Sequence, residues 1–219
     1  MDIEIVRQKR KTLSLVITRD GRVEARAPYN LKVEQILAFA EEKKDWIEKK
    51  LSEVQARLRP EKRYVEGEIF EILGASYELC FYDGDKIGIS DKKLYFPVSY
   101  REECKQRLGG WYKVKAKTVL KKFLDEESKR LGLSYGKFRV STAKTRWGSC
   151  SGKNDICLNY RLLSAPEYVI RAVCSHELCH VAHKNHGKDY KRMLNNLSPY
   201  DKIADVWLKF HSIDSLGEG

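Results

Sequence analysis

The feature that most constrains the fold is a cluster of histidines near the C-terminal end of the sequence. Four of the five histidines lie within the eleven residues from His176 to His186. His176 and His180 are four residues apart, and positions four apart in an α-helix lie on one face, about 6 Å apart along the axis. A helix through this segment would therefore direct two imidazole rings at one point.

The residues from His176 to His180 read HELCH, which is the HExxH pattern. In this pattern the two histidines bind a metal ion, and the glutamate lies beside the ion, where it can take a proton from metal-bound water. The motif lies in a segment with an apolar helical period, which argues against a chance match. We therefore predict a metal site with Glu177 as the general base.

A catalytic zinc ion needs a third protein ligand, and His183 and His186 are the candidates. On a straight helix His183 would lie roughly 10 Å along the axis from His176, which is too far for a compact tetrahedron. His186 follows His176 by ten residues, a spacing at which a chain that leaves the helix folds back to the ion. Asn185 and Gly187 tolerate the left-handed backbone that such a turn needs. The spacing favours His186, with His183 as the alternative.

A structural zinc site with four protein ligands is an alternative interpretation, because Cys174 and Cys179 lie close to the histidines in the sequence. On a helix, however, Cys174 would point about 200° away from His176. A closed site would also give Glu177 no role. We interpret both cysteines as small buried apolar residues.

The remaining composition indicates the compartment. The chain has six cysteines but no CxxC pair, and its first residues, MDIEIVRQKRK, carry charges where a secretory signal needs an apolar core. We expect reduced thiols and a cytoplasmic protein. No apolar run approaches the roughly 18 residues of a membrane span, so we expect no membrane partner.

The net charge of +11, from 42 Lys and Arg against 31 Asp and Glu, predicts a surface that attracts anions. The densest basic stretch, residues 112–123, would place Lys113, Lys117 and Lys121 on one helix face. This stripe is either a solvated face or a track for phosphates, and solubility alone explains the charge equally well. The opposite face would be apolar, with Trp111, Val114, Leu120 and Leu124.

The first half of the chain has mostly strand patterns. Alternating side chains around Asp20 and Gly21 predict a hairpin over residues 12–27. A helical period predicts one helix over residues 33–58, which Pro60 would end. Short runs bounded by turn residues predict four more strands, over residues 68–73, 77–82, 86–90 and 94–98.

Two capping-box patterns, Ser99 with Glu102 and Ser164 with Glu167, predict helix starts in the second half. The first helix would run to about residue 131, with a kink or break at Gly109-Gly110. The second helix would lead directly into the HELCH motif. Strands are expected over residues 137–142 and 156–159, with a polar loop between them. A last helix over residues 200–210 would bury Ile203, Val206, Trp207 and Phe210.

Three segments resemble the bacterial YgjP-like metal-dependent hydrolases, relatives of the SprT-type zinc metallopeptidases. They are TRWGSCS at 145–151, ICLNYRLLSAPEYVI at 156–170 and HELCHVAHKNHGKDY at 176–190. Residues 9–28 and 43–51 also resemble that family, so the resemblance covers nearly the whole chain. We expect an α+β fold with a domain boundary near Ser99, in which residues 1–98 form a β-rich N-terminal domain that contains one long helix. A minimal zincin-like domain, an HExxH helix on a small sheet, would follow over residues 99–219.

The resemblance implies a zinc metallopeptidase with one Zn²⁺ per chain. The ion would be held by His176, His180 and His186, with Glu177 as the general base. The Asn-His-Ser that the family often shows at the third ligand reads Asn-His-Gly here, which leaves the ligand in place.

The implied substrate is a protein or peptide, and residues 156–159 would form the edge strand that faces it. Arg146 and Asn159 are candidate substrate contacts, whereas no residue is assigned to the oxyanion, with Tyr190 and Tyr200 as unsupported candidates. Two alternatives stay open. The same site could hydrolyse a nucleotide phosphoanhydride, or the chain could be a DNA- or RNA-associated zinc-binding module, since the positive charge admits non-specific nucleic acid. The oligomeric state is not indicated.

Overall fold

The computed structural model describes residues 2–18, 21–55, 62–198 and 201–211. Within these residues, six α-helices and ten β-strands form a mixed α+β structure with three small sheets, which confirms the predicted fold class. The chain divides into two compact units, Met1–Arg59 and Pro60–Gly219. In the described ranges, no helix is both long and apolar enough to cross a membrane.

The N-terminal unit begins with a three-stranded sheet in which β3 is central, antiparallel to β2 and parallel to β1. The predicted hairpin is confirmed by the β2 and β3 pairing, although β1 was not predicted. Gly21 has a positive φ of 84°, which suits a tight turn, and Asp20 lies outside the described residues. The strands are β1 (Glu4–Gln8), β2 (Ser14–Ile17) and β3 (Val23–Pro28).

Two helices, α1 (Val33–Glu42) and α2 (Lys44–Gln55), take the place of the single helix predicted over residues 33–58. Lys43, with φ −99° and ψ 15°, separates them. Ile36 of α1 and Ile47 of α2 are fully buried in the small cores that these helices share with β3. The apolar period therefore continues across the break. For this reason the sequence pattern predicted one helix instead of two. Residues 56–58 and Pro60 lie outside the described part of the chain.

The second unit begins with a four-stranded sheet in the order β4-β5-β7-β6, and its strands confirm the four that were predicted. Leu79 and Phe96 of this sheet belong to the same hydrophobic core as Leu120 of the long helix that follows. The compact unit therefore starts before the sheet, whereas the expected boundary lay at Ser99. The strands are β4 (Ile69–Ile72), β5 (Ala75–Tyr82), β6 (Gly88–Ser90) and β7 (Lys93–Pro97).

The long helix α3 (Cys104–Leu131) runs without a break through Gly109 and Gly110, so the predicted kink is wrong. Val114 is 72% exposed, which corrects its placement on the apolar face. Of the lysine stripe, Lys121 is paired with Asp125 and Lys113 lies over the Tyr160 ring. The residues that α3 buries are Cys104, Leu108, Tyr112, Ala116, Leu120, Phe123, Leu124 and Glu127.

Neither capping box forms. Ser99 lies inside a 3-10 helix, Val98–Glu103, and α3 starts after it. Pro166 is the N-cap of α4, while the Ser164 hydroxyl donates to the carbonyl oxygen of Arg161 at 2.9 Å. A short serine pattern is satisfied equally well by a local turn, which is the reason for both errors.

The third sheet has the order β8-β10-β9, in which β10 is parallel to β8 and antiparallel to β9. β9 lies in the segment expected to be a polar loop. The prediction that residues 156–159 form an edge strand is wrong, because β10 has a neighbour on each side. Ile156 and Leu158 have no exposed surface, as expected for a central strand. The strands are β8 (Phe138–Ser141), β9 (Gly148–Cys150) and β10 (Ile156–Asn159).

Three helices complete the unit: α4 (Glu167–Ala182), α5 (Lys188–Leu197) and α6 (Asp201–Phe210). α4 is central and packs against α3, α5, α6 and β9. α6 turns Ala204 to the core, whereas Ile203 and Val206 are 60% and 54% exposed, so their predicted burial is wrong. The Phe210 side chain and Tyr200 lie outside the part that is described.

Candidate metal centre

α4 carries the histidines of the HELCH motif on the side that faces the first turn of α5. The His176 and His180 rings, one helical turn apart, have centroids 5.1 Å from each other. The helix ends at Ala182, and His183 takes an extended conformation with φ −131° and ψ 104°. The chain therefore leaves the helix at the position where a straight helix would have carried the third ligand away.

The chain reversal brings His186 to the other two histidines. Its ring centroid lies 5.3 Å from that of His176 and 4.6 Å from that of His180. One ring nitrogen from each of the three lies within 4.8 Å of the others. His183 is outside this group, so the structure brings together the trio that the spacing favoured.

The nitrogen positions fit a small divalent ion. The Nε2 atoms of His176 and His186 are 3.4 Å apart. Zinc–nitrogen bonds of about 2.0–2.1 Å in a tetrahedron place two ligand nitrogens about 3.4 Å from each other. The His176 and His186 nitrogens thus match the separation expected for two ligands of one zinc ion.

Hydrogen bonding and burial favour the ligand form of the imidazoles. Nδ1 of His180 lies 3.0 Å from the carbonyl oxygen of His183, which can only accept, so Nδ1 carries the proton and Nε2 is left as a lone-pair donor. Burial, together with the neighbouring His180 and His186, lowers the pKa of His176 to about 4. Neutral imidazole is the form that binds metal ions.

Tyr190 of α5 forms one wall of the histidine cluster. It is buried, and its ring stacks on His180 at a centroid distance of 4.5 Å and meets the His186 ring at 4.7 Å. Its hydroxyl donates to the carbonyl oxygen of His176 at 3.2 Å, so α5 is tied to the middle of α4. Nothing in the sequence around Tyr190 indicated this role, because the contact depends on how α5 packs.

The Glu177 carboxylate lies between α4 and β9, with 5% of the residue exposed. A Cβ atom on Gly148 would lie 2.5 Å from Oε1 of Glu177, so the missing side chain makes room for the carboxylate. Burial raises the pKa of Glu177 to about 7, against the opposing effect of the Arg146 cation. A carboxylate with that pKa is well matched to proton transfer near neutral pH.

Comparison with known families decides the identity of this fold. Residues 11–211 match the family described as YgjP-like, metallopeptidase domain. The chain belongs to the YgjP-like metallopeptidase family. This confirms the resemblance seen in the sequence. A YgjP-like protein is a metal-dependent peptidase, and the family implies a divalent metal ion, for which the histidine cluster is a fitting site.

Two solved structures resemble part of this YgjP-like chain. The metallopeptidase zymogen of Pyrococcus abyssi abylysin is 21% identical, with a TM-score of 0.38, over 41% of this chain and 90% of its own. The metallopeptidase zymogen of Methanocaldococcus jannaschii jannalysin is 22% identical, with a TM-score of 0.36, over 41% of this chain and 91% of its own. A comparison with curated proteins gives no match.

The two candidate substrate contacts of this YgjP-like chain have different surroundings. Asn159 has no exposed surface, and its side-chain amide donates to the carbonyl oxygens of Ala143 and Arg146 at 2.7 and 3.1 Å. Its side-chain oxygen accepts from the backbone N–H of Arg161 at 3.1 Å. Asn159 therefore holds the loop before β9, whereas the exposed Arg146 side chain lies close enough to Glu177 for its charge to lower the pKa of that carboxyl.

A buried ionic network connects α3 to α4, the helix that carries the HELCH motif. Glu127 of α3 is 2% exposed and accepts hydrogen bonds from Ser175 at 2.9 Å, Arg130 at 2.9 Å and Arg171 at 3.1 Å. Arg130 also donates to the carbonyl oxygen of Leu197 at 2.9 Å. The network joins α3, α4 and the end of α5. A single acid within the buried face of α3 was the only sequence signal for it.

Proposed function

We propose that the protein hydrolyses peptide bonds with one zinc ion held by His176, His180 and His186, and with Glu177 as the general base. The observation that carries the proposal is the convergence of three imidazole nitrogens within 4.8 Å of one another beside a buried carboxylate. Catalytic zinc sites have three protein ligands and an open position, whereas structural sites have four. In the described residues, neither nearby cysteine joins the group, which supports the catalytic type.

A zinc ion in this site supplies Lewis-acid activation. Glu177 takes the proton of the attacking water and passes it to the leaving amine. Its burial favours this role, because a carboxylate whose pKa is raised to about 7 accepts a proton more readily than an ordinary glutamate. The Arg146 cation opposes this rise.

The strand that can receive an extended peptide is β9. It is one of the two outer strands of the β8-β10-β9 sheet, and it is the one whose Gly148 lies against Glu177. An edge strand presents backbone N–H and C=O groups that a peptide can pair with. We assign to β9 the substrate-facing role that was predicted for residues 156–159.

The test compares the wild type with Glu177→Gln, a variant of the same size that cannot accept the proton. Zinc content and melting temperature should hardly change, while the rate on an unfolded protein substrate should fall by about a hundredfold to ten-thousandfold. Nucleoside triphosphates serve as the second substrate class in the same assay. An intact rate in Glu177→Gln, or phosphate release without peptide cleavage, would refute the proposed mechanism.

A further inference from the structure

A cavity of about 230 Å³ opens beside the metal centre. Whole-ligand pockets usually span about 300–1,000 Å³, so this cavity has room for one amino-acid side chain. It is lined by Trp147 and Gly148, by Ala172, Val173, His176 and Glu177 of α4, and by Ala204, Asp205 and Leu208 of α6.

The cavity is lined by apolar and polar surface in about equal parts. Ala172 and Val173 are buried, and Leu208 and Trp147 are half-buried. Two carboxylates lie in the lining: Glu177 at the reacting end, and Asp205 on α6. Asp205 is exposed, and within the described residues it has neither an ion pair nor a hydrogen bond through its side chain. It is close enough to His176 for its charge to act on that imidazole.

We propose that this cavity holds one side chain of the peptide substrate and that Asp205 selects lysine or arginine there. The inference rests on the proposed peptidase function. Lysine and arginine have an apolar stem and a cationic end. The stem would contact the apolar part of the lining, and the cation would pair with Asp205. An acidic side chain would meet the Asp205 carboxylate as a like charge, which disfavours it.

The positive charge of the whole chain does not cancel this local selection. A net charge of +11 repels basic substrates at long range. Salt screens such forces over about 8 Å at physiological ionic strength, whereas a side chain inside the cavity reaches Asp205 directly. The preference should therefore weaken with added salt without changing sign.

The test uses peptides that differ at one residue, placed in turn on either side of the scissile bond. Lysine is compared with norleucine, which keeps the stem and lacks the charge, and with glutamate. We expect kcat/KM for lysine to exceed that for norleucine about two- to fivefold, as for an exposed ion pair. Asp205→Asn should bring the ratio to about one, and Asp205→Lys should favour glutamate. Glu102→Lys, at an exposed position of the 3-10 helix before α3 and outside the cavity lining, makes the same charge change as Asp205→Lys and should leave the ratio as in the wild type.

Two further measurements distinguish a failure of this inference from a failure of the proposed peptidase function. Zinc content should be equal in the wild type and Asp205→Asn, and its loss would show that Asp205 supports His176 instead. If no peptide is hydrolysed, the same labelled peptides are titrated into the zinc-loaded protein and followed by fluorescence anisotropy. A lysine preference that Asp205→Asn abolishes then supports the cavity, although the peptidase proposal fails. Equal binding of lysine and norleucine peptides, or no binding, overturns the inference.

Discussion

A methyl group on Gly148 is the smallest change that displaces the Glu177 carboxylate. A Cβ atom there would lie 2.5 Å from Oε1, 2.9 Å from Cγ and 3.0 Å from Cδ of Glu177. Ordinary non-bonded contacts are about 3.5–4.0 Å, so the carboxylate must move by about 1 Å. Misplacement of a catalytic group by about 1 Å can reduce the rate a hundredfold. We therefore expect Gly148→Ala to lower kcat by about a hundredfold.

The fold should tolerate this substitution. Gly148 is not among the residues with positive φ, so alanine fits its backbone. The clash is with Cγ, Cδ and Oε1 of a buried side chain, so the substitution should lower the free energy of unfolding by about 1–3 kcal/mol. Zinc content should not change, because the three histidines keep their positions.

The assay measures kcat on an unfolded substrate, bound zinc and melting temperature together. Gly152→Ala is the matched control, because a Cβ atom at Gly152 meets nothing within 4 Å. In a Glu177→Gln background, Gly148→Ala should cost no further activity, since both changes act through the same carboxylate. Full activity in Gly148→Ala would refute the reasoning, as would a loss of zinc that accounts for the lost rate.

The remaining predictions concern the third metal ligand, His186, and the ionic network around Glu127. His186→Ala should lose most of its bound zinc and His183→Ala should keep it, as measured by metal analysis of the purified variants. Glu127→Gln should lower the free energy of unfolding by about 1.5–3 kcal/mol, the range for hydrogen bonds to a charged group, as measured by urea denaturation. Burial would raise the pKa of Glu127, but its hydrogen bonds from Arg130, Ser175 and Arg171 outweigh burial and hold it below the ordinary value. The stability difference between wild type and Glu127→Gln should therefore be full above about pH 4.3 and shrink as the pH falls further.

Local geometry explains which parts of the site could be predicted. The relation between His176 and His180 follows from the helical repeat alone, and the distance along the axis disfavoured His183 as a partner of His176. Gly148 and Tyr190 could not be predicted in the same way. Their contacts with α4 depend on how β9 and α5 pack against that helix. The period and spacing of residues in the sequence do not indicate such packing.

Secondary structure shows the same limit. The strands of the four-stranded sheet were predicted because alternating side chains and turn residues are local signals. The break at Lys43 was not, since Ile36 and Ile47 continue one apolar period on two helices that pack on the same sheet. Ser99 and Ser164 fitted a cap pattern that a turn also satisfies.

The largest error concerns which strand lies at the edge of the third sheet. Ile156 and Leu158 are buried on one face of this strand, and Asn159 is buried and Cys157 partly buried on the other, as is typical of a strand in the middle of a sheet. The neighbouring Gly148–Cys150 segment is short and built of small residues, which made it look like a loop, yet it is an outer strand of the sheet. Small residues suit that place because Gly148 must leave room for Glu177. Substitutions in this strand should therefore change catalysis while zinc stays bound, whereas substitutions at the histidines should change both.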